Sequence, residues 1–256
     1  MHIDVVTIFP AMVEHALRAG IVGRAIERGT LAVKVHDLRA FTTDRHHVVD
    51  DVPYGGGPGM VLKPEPILRA LAEITGGVEP RPRVLLTSPQ GTQFTQNVAT
   101  RLSRDARLVI VCGRYEGVDD RVRGLVDEEI SIGDYVLSGG ELPALVIVDC
   151  VARHVPGVVG DEQSVVEDSF SRGLLDFPHY TRPAELTIDE RLPANGATAL
   201  RVPDVLLSGN HAEIRHWRKR EAISRTLQRR PDLLASADLD DEEREILRQL
   251  TAGKLE

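Results

Sequence analysis

"RLVIVCGRYEG", residues 107–117, joins an almost unbroken run of Leu, Val, Ile and Cys to a short segment with two glycines. A run that is apolar at nearly every residue fits a strand buried on both faces, and the glycines mark where the chain turns off its end. "RVLLTSP" (83–89) has the same character, and "IDVVTIF" (3–9) and "EEISIG" (128–133) read as further strands. "LAVKVHDL" (31–38) alternates apolar and polar residues, which predicts a strand with one solvated face. Helical patterns separate these runs over 11–28 (interrupted near Gly20), 64–75, 95–104, 117–126 and 141–155, and a long loop covers 42–60. Alternation of this kind predicts an α/β fold around a largely parallel sheet.

The alternation stops after Gly160. "GDEQSVVEDSFSRG" (160–173) is polar and acidic without periodicity and reads as a linker, and "RLPANGATALRVP" (191–203) reads as another loop. Residues 210–229 and 239–252 are helical in pattern, and "NHAE" (210–213) has the spacing of a capping box. The predicted organisation is an α/β domain over 1–160, a linker over 161–173 and a small helical domain over 174–256. There is no internal repeat.

The chain of 256 residues carries a net charge of -8, which argues against broad, nonspecific nucleic-acid binding. A basic face is still present: Asn210 to Arg230 holds seven Arg or Lys against two Glu. No apolar run approaches the roughly 20 residues of a membrane span, and the N-terminus lacks the features of a signal peptide. Cys112 and Cys150 both lie in apolar segments and read as reduced thiols, so a cytoplasmic location is expected.

Three glycine-bearing segments follow predicted strands: "TSPQG" (87–91), "CGRYEG" (112–117) and "SIGDYVLSGGE" (131–141). Ligands of open α/β sheets bind beyond the carboxyl ends of the strands, and glycine lets the backbone approach them closely. None of the three has the spacing of a phosphate loop or a dinucleotide fingerprint. A ligand with adenine and ribose but no phosphate suits them better, and S-adenosylmethionine is one. Taken singly, each segment is also compatible with an ordinary turn.

The motifs "VDDVPYGGGPGM" (49–60), "SPQG", "CGRYEG", "SIGDYVLSGGELPA" (131–144), "EDSF" (167–170), "PHYTRP" (178–183) and "VLLSGNHAEIRHWRK" (205–219) occur in the order found in the bacterial tRNA (guanine-N1)-methyltransferases. The chain resembles that family from Met1 to about residue 235. The resemblance implies a SPOUT-type α/β domain with a deep trefoil knot and a homodimer with active sites at the subunit interface. It implies S-adenosylmethionine as methyl donor and tRNA as substrate, methylated at the guanosine immediately 3′ of the anticodon. It also allows a Mg2+ requirement. By motif, Pro89 and Gln90, then Gly113, Tyr115, Glu116 and Gly117, then Ile132, Gly133, Tyr135, Leu137, Gly139 and Gly140 would surround the cofactor. Asp168 matches the family's general base and Arg153 the arginine that acts on the target guanine. Gly57, Pro58 and Gly59 fall in the segment that approaches the target base, and Arg215, Arg218 and Lys219 fall on the basic helix expected to meet tRNA. "TIDERLPANGATALR" (187–201) departs from the family pattern as extra length.

The chemistry agrees with these residue types. Guanine N1 carries a proton and needs a base to remove it as the methyl arrives. Asp168 follows Glu162 and Glu167, and like charges raise a carboxylate's basicity. Charge released onto O6 calls for a fixed cation, a role that Arg153 fits. "DRHHVVDD" (44–51) holds metal-ligand residue types, but adjacent histidines without HxxxH or CxxC spacing do not make a zinc site, so no metal ligand is assigned. A noncatalytic RNA-binding protein and a nucleotide-using α/β enzyme are the competing readings. The intact loops oppose the first, and the missing phosphate motifs oppose the second.

Overall fold

The computed structural model describes residues 1–160, 168–188 and 199–252 and divides the chain into two compact units, Met1–Glu162 and Gln163–Glu256. In the first, β1 (His2–Thr7), β2 (Ala32–Asp37), β5 (Arg83–Gln93), β6 (Arg107–Cys112) and β7 (Glu128–Ser131) form one sheet in the order β2-β1-β6-β5-β7. Every pairing within it is parallel, as the Val, Ile and Leu runs predict.

Alternation along each central strand feeds two cores. Ile3, Val5, Leu85, Leu108 and Ile110 point to one side, where α1 (Pro10–Leu17), α4 (Gln96–Leu102) and α5 (Glu141–Ala152) cover them. Val6, Val84, Leu86, Val109 and Val111 point to the other, under α3 (Pro64–Thr75). α2 (Gly20–Glu27) adds Val22 and Ala25 to the first core. β2 sits at the sheet edge with no fully buried residue, in line with its half-polar sequence.

Three local expectations are corrected. Residues 117–126 are not an α-helix: only Asp120–Leu125 coil, as a 3-10 turn opened by Asp119, whose side chain accepts from the Arg121 N–H. The long loop contains β3 (Asp50–Asp51), paired antiparallel with β4 (Val61–Leu62). The loop read over 191–203 ends in a strand, β9 (Ala199–Arg201), antiparallel to β8 (Glu185–Thr187) with Leu186 opposite Leu200. Residues 189–198, most of the segment that departs from the family pattern, lie outside the described residues.

In the second unit the helix His211–Arg229 packs against the helix Asp241–Ala252. Asn210 caps the first by accepting from the Ala212 and Glu213 N–H groups, while its own N–H donates to Ser208 Oγ. Among the described residues no helix is long and apolar enough to cross a membrane.

Candidate active site

The site forms where β5, β6 and β7 end side by side. Thr87 and Thr92 of β5 both pair with Ile130 of β7, so residues 88–91 are an excursion from the strand. Gly91 brings the chain back: a Cβ there would collide with the Glu129–Ile130 backbone. After β6 the chain turns through Tyr115 (φ 62°) and Gly117 (φ 142°), both with positive φ. A non-glycine residue held there stores strain of the kind found at functional sites. After β7 Gly133 (φ 150°) reverses the chain, and Ser131 Oγ accepts from its N–H at 3.3 Å.

Backbone and hydroxyl bonds tie the three loops together. Thr87 Oγ1 donates to the Val111 carbonyl and accepts from the Gly113 N–H, both at 3.2 Å. The Gly140 N–H donates to the Gly113 carbonyl at 2.7 Å. A Cβ on Gly140 would fall on Thr87 Oγ1, and one on Gly113 would lie 2.8 Å from the Thr87 carbonyl oxygen. These glycines are required by contact, since bulk would push the loops apart. The second loop is also joined to β4: Glu116 N–H donates to the Met60 carbonyl and Leu62 N–H to the Gly117 carbonyl, each at 3.0 Å.

The loops enclose a cavity of about 480 Å³. Its wall includes all twelve cofactor-assigned positions: Pro89 and Gln90; Gly113, Tyr115, Glu116 and Gly117; Ile132, Gly133, Tyr135, Leu137, Gly139 and Gly140. Ile132, Leu137 and Pro143 make part of the wall apolar, while Gln90, Glu116, Asp120, Arg123 and Glu129 make part of it polar. Beneath the cavity Glu141, 1% exposed, accepts from Thr7 Oγ1 at 2.8 Å and from Arg114 Nε at 3.2 Å. The Arg114 guanidinium lies over the Phe9 ring, 4.4 Å from its centroid. Burial, and then the Glu141 charge, push the neighbouring Cys112 thiol well above its ordinary range. Both Cys112 and Cys150 are free thiols.

Residues 1–236 match the family described as tRNA (Guanine-1)-methyltransferase TrmD. The chain belongs to this family. Curated relatives named tRNA (guanine-N(1)-)-methyltransferase include one from Pelotomaculum thermopropionicum, 51% identical over 99% of this chain and 97% of the relative. Another, from Geotalea uraniireducens, is 52% identical over 98% of this chain and 97% of its own. A third, from Geobacter metallireducens, is 51% identical over 99% of both. The chain is thus an enzyme of the tRNA-methyltransferase class.

In the first unit, Arg153 and the Gly57–Gly59 segment are not among the residues that line the cavity. Arg153 is the C-cap of α5, the helix whose first turn abuts the cavity, and its N–H donates to the Asp149 carbonyl. At about 1.5 Å per residue the twelve residues of α5 carry Arg153 roughly 18 Å from that end. Gly57, Pro58 and Gly59 do not line the cavity, but a Cβ on Gly59 would meet Glu116, which does. Asp168 lies in the second unit, half-buried, with its carbonyl accepting from the Ser171 N–H at 3.2 Å. Its acidic neighbours Glu162 and Glu167 lie outside the described residues.

The stretch read as a linker is anchored where it is described. Arg172 donates to both oxygens of Glu243, at 3.1 and 2.8 Å, and just past the linker Leu175 N–H donates to Thr226 Oγ1 at 2.9 Å. On the basic helix, Arg215 and Arg218 are exposed, with the Arg218 guanidinium 4.8 Å from the Phe177 ring centroid. Lys219 donates to Asp240 and Glu242, which puts its charge into the contact between the two helices. Trp217 is half-buried, 6.3 Å from the Tyr180 ring.

In the segment 44–51, Asp44 accepts from the His46 and Val48 N–H groups, an ordinary side-chain turn. Among the described residues no group of three or more His, Cys, Asp or Glu is arranged to hold a metal ion. Sequence reading missed Asp120, Arg123 and Glu129, and took Thr87 only as the start of the first glycine segment. Asp120 and Arg123 carry one local signal, opposite charges three residues apart; the others are placed by strand pairing alone.

Proposed function

We propose that this protein transfers a methyl group from S-adenosylmethionine to N1 of the guanosine immediately 3′ of the anticodon in tRNA. We place it in the cytoplasm as a homodimer, with the SPOUT-type trefoil knot that the family resemblance implies. The carrying observation is the cavity: three glycine loops bonded edge to edge, with no phosphate grip, around a space with apolar and polar walls. That wall fits the methyl donor. Ile132, Leu137 and the glycine backbone suit a flat adenosine, and Gln90, Glu116 and the neighbouring acids suit a charged amino-acid end.

When bound, S-adenosylmethionine supplies an electrophilic methyl group. Asp168 acts as the base that takes the N1 proton of guanine. Arg153 supplies positive charge toward O6 as the base becomes electron-rich. The length of α5 keeps Arg153 from its own chain's cavity, which supports an active site completed by a second subunit. Arg215 and Arg218 contribute to holding tRNA phosphates, and the Gly57–Gly59 segment, against Glu116, guides the target base. A Mg2+ requirement rests on the resemblance alone.

The test is incubation with methyl-labelled S-adenosylmethionine and two tRNA transcripts, one with G and one with A immediately 3′ of the anticodon. Label entering only the G transcript supports the proposal. Label in both or in neither contradicts it.

A further inference from the structure

Arg123 is absent from every family motif quoted above, yet its side chain joins all three walls of the cavity. Its guanidinium donates to Gln90 Oε1 at 2.5 Å from the first loop. Nε pairs with Asp120 Oδ1 at 2.8 Å on the turn that follows the second loop. One Nη pairs with Glu129 Oε1 at 3.2 Å on β7, which leads into the third. The other Glu129 oxygen, Oε2, is buried with no hydrogen-bond partner. Two acids therefore face a single arginine and hold it beside the amide.

The consequence falls on Gln90. A guanidinium has donors only, so the amide must turn its oxygen to Arg123. That fixes the amide nitrogen, with its two donors, as the group Gln90 has left to offer in the cavity it lines. Without Arg123 the amide is free to flip and present its oxygen instead. We infer that Arg123 is a positioning residue that locks the Gln90 amide as a donor, so that the cavity prefers a ligand bearing an anionic acceptor, the carboxylate of S-adenosylmethionine. This rests on the proposed identity of the methyl donor. It assigns Arg123 to binding selectivity rather than to the chemical step.

The test compares two ligands by calorimetry on the full-length protein: S-adenosylmethionine, and 5′-methylthioadenosine, which keeps the adenosine and lacks the amino-acid end. Loss of a hydrogen bond to a charged group predicts that Arg123→Ala weakens S-adenosylmethionine binding about tenfold. Binding of 5′-methylthioadenosine should be unchanged. Gln90→Ala should give the same selective loss. The double variant should lose no more than either single one, because both act through one bond. Arg123→Lys, which keeps a charge but loses the planar fork, should recover part of the affinity. Equal weakening of both ligands, or additive losses in the double variant, would overturn the inference and leave the proposed methyl donor standing. A wild-type protein that binds neither ligand would overturn both.

Discussion

Gly140 packs against the Thr87 hydroxyl, the Gly113 nitrogen and the Cys112 Cα, so its missing side chain is what lets β5, β6 and the third loop close together. Gly140→Ala should destabilise the protein by about 1–3 kcal/mol through overpacking, and should lower cofactor affinity in the same preparation. A thermal melt and a calorimetric titration read the two effects; an unchanged melt would mean that the loop moves aside without cost. Elsewhere in the sheet, Asp4 is fully buried and accepts from His36 Nε2 and Arg107 Nε, each at 2.7 Å. Burial alone would raise its pKa, but the bonds from His36 and Arg107, with the charge of His2, outweigh burial and lower it from 3.8 to about 2. A depressed carboxylate stabilises the fold fully above its ordinary pKa. That stability is lost as pH falls from 3.8 to about 2. The contribution at neutral pH is roughly 2 kcal/mol. Asp4→Asn should remove it and flatten the acid limb of a stability-versus-pH curve; an unchanged limb would place acid sensitivity in other groups.

At the scale of elements, the turn that follows Asp168 is held to the helical unit by a polar clamp. Glu243, with its side chain 4% exposed, accepts from Arg172 and from the Asp240 N–H. Arg172→Ala leaves that buried carboxylate short of its cation and should cost about 2 kcal/mol in denaturant unfolding of the full chain. An unchanged midpoint would mean that water replaces the guanidinium. Such clamps are invisible in the sequence, because Arg172 and Glu243 are brought together only by the turn and the helix pair. The sheet was legible because its central strands carry runs of Val, Ile and Leu broken by few polar residues and its edge strand β2 alternates. The β8–β9 pairing was not, since three-residue strands carry no period. Of the site, the glycine loops were legible as strand-end turns, and the family motifs assigned their residues. The meeting of Arg123 with Gln90 and Glu129 needed the parallel pairing of β5 and β7 and the excursion at 88–91.

For the whole molecule, the decisive geometry is that α5 starts at the cavity and ends at Arg153. If a second subunit supplies Arg153, a cavity variant and an Arg153 variant complement each other. At a cofactor concentration too low to load the Gly140→Ala cavity, Gly140→Ala and Arg153→Ala, each inactive alone, should regain about a quarter of wild-type activity when co-expressed as a statistical mixture, because half the dimers then hold one intact site. No recovery in purified mixed dimers would place Arg153 and the cavity in one subunit's site. The central claim, methyl transfer to N1, is tested most directly by reading the product. N1 lies on the pairing edge of guanine, so a methyl there stops reverse transcription at that base. The wild-type protein with S-adenosylmethionine should create one new stop, at the guanosine immediately 3′ of the anticodon. Asp168→Asn, which still binds the cofactor, should lose that stop by about a hundredfold or more in rate. A stop elsewhere in the tRNA, or label incorporated with no stop at all, would contradict the account.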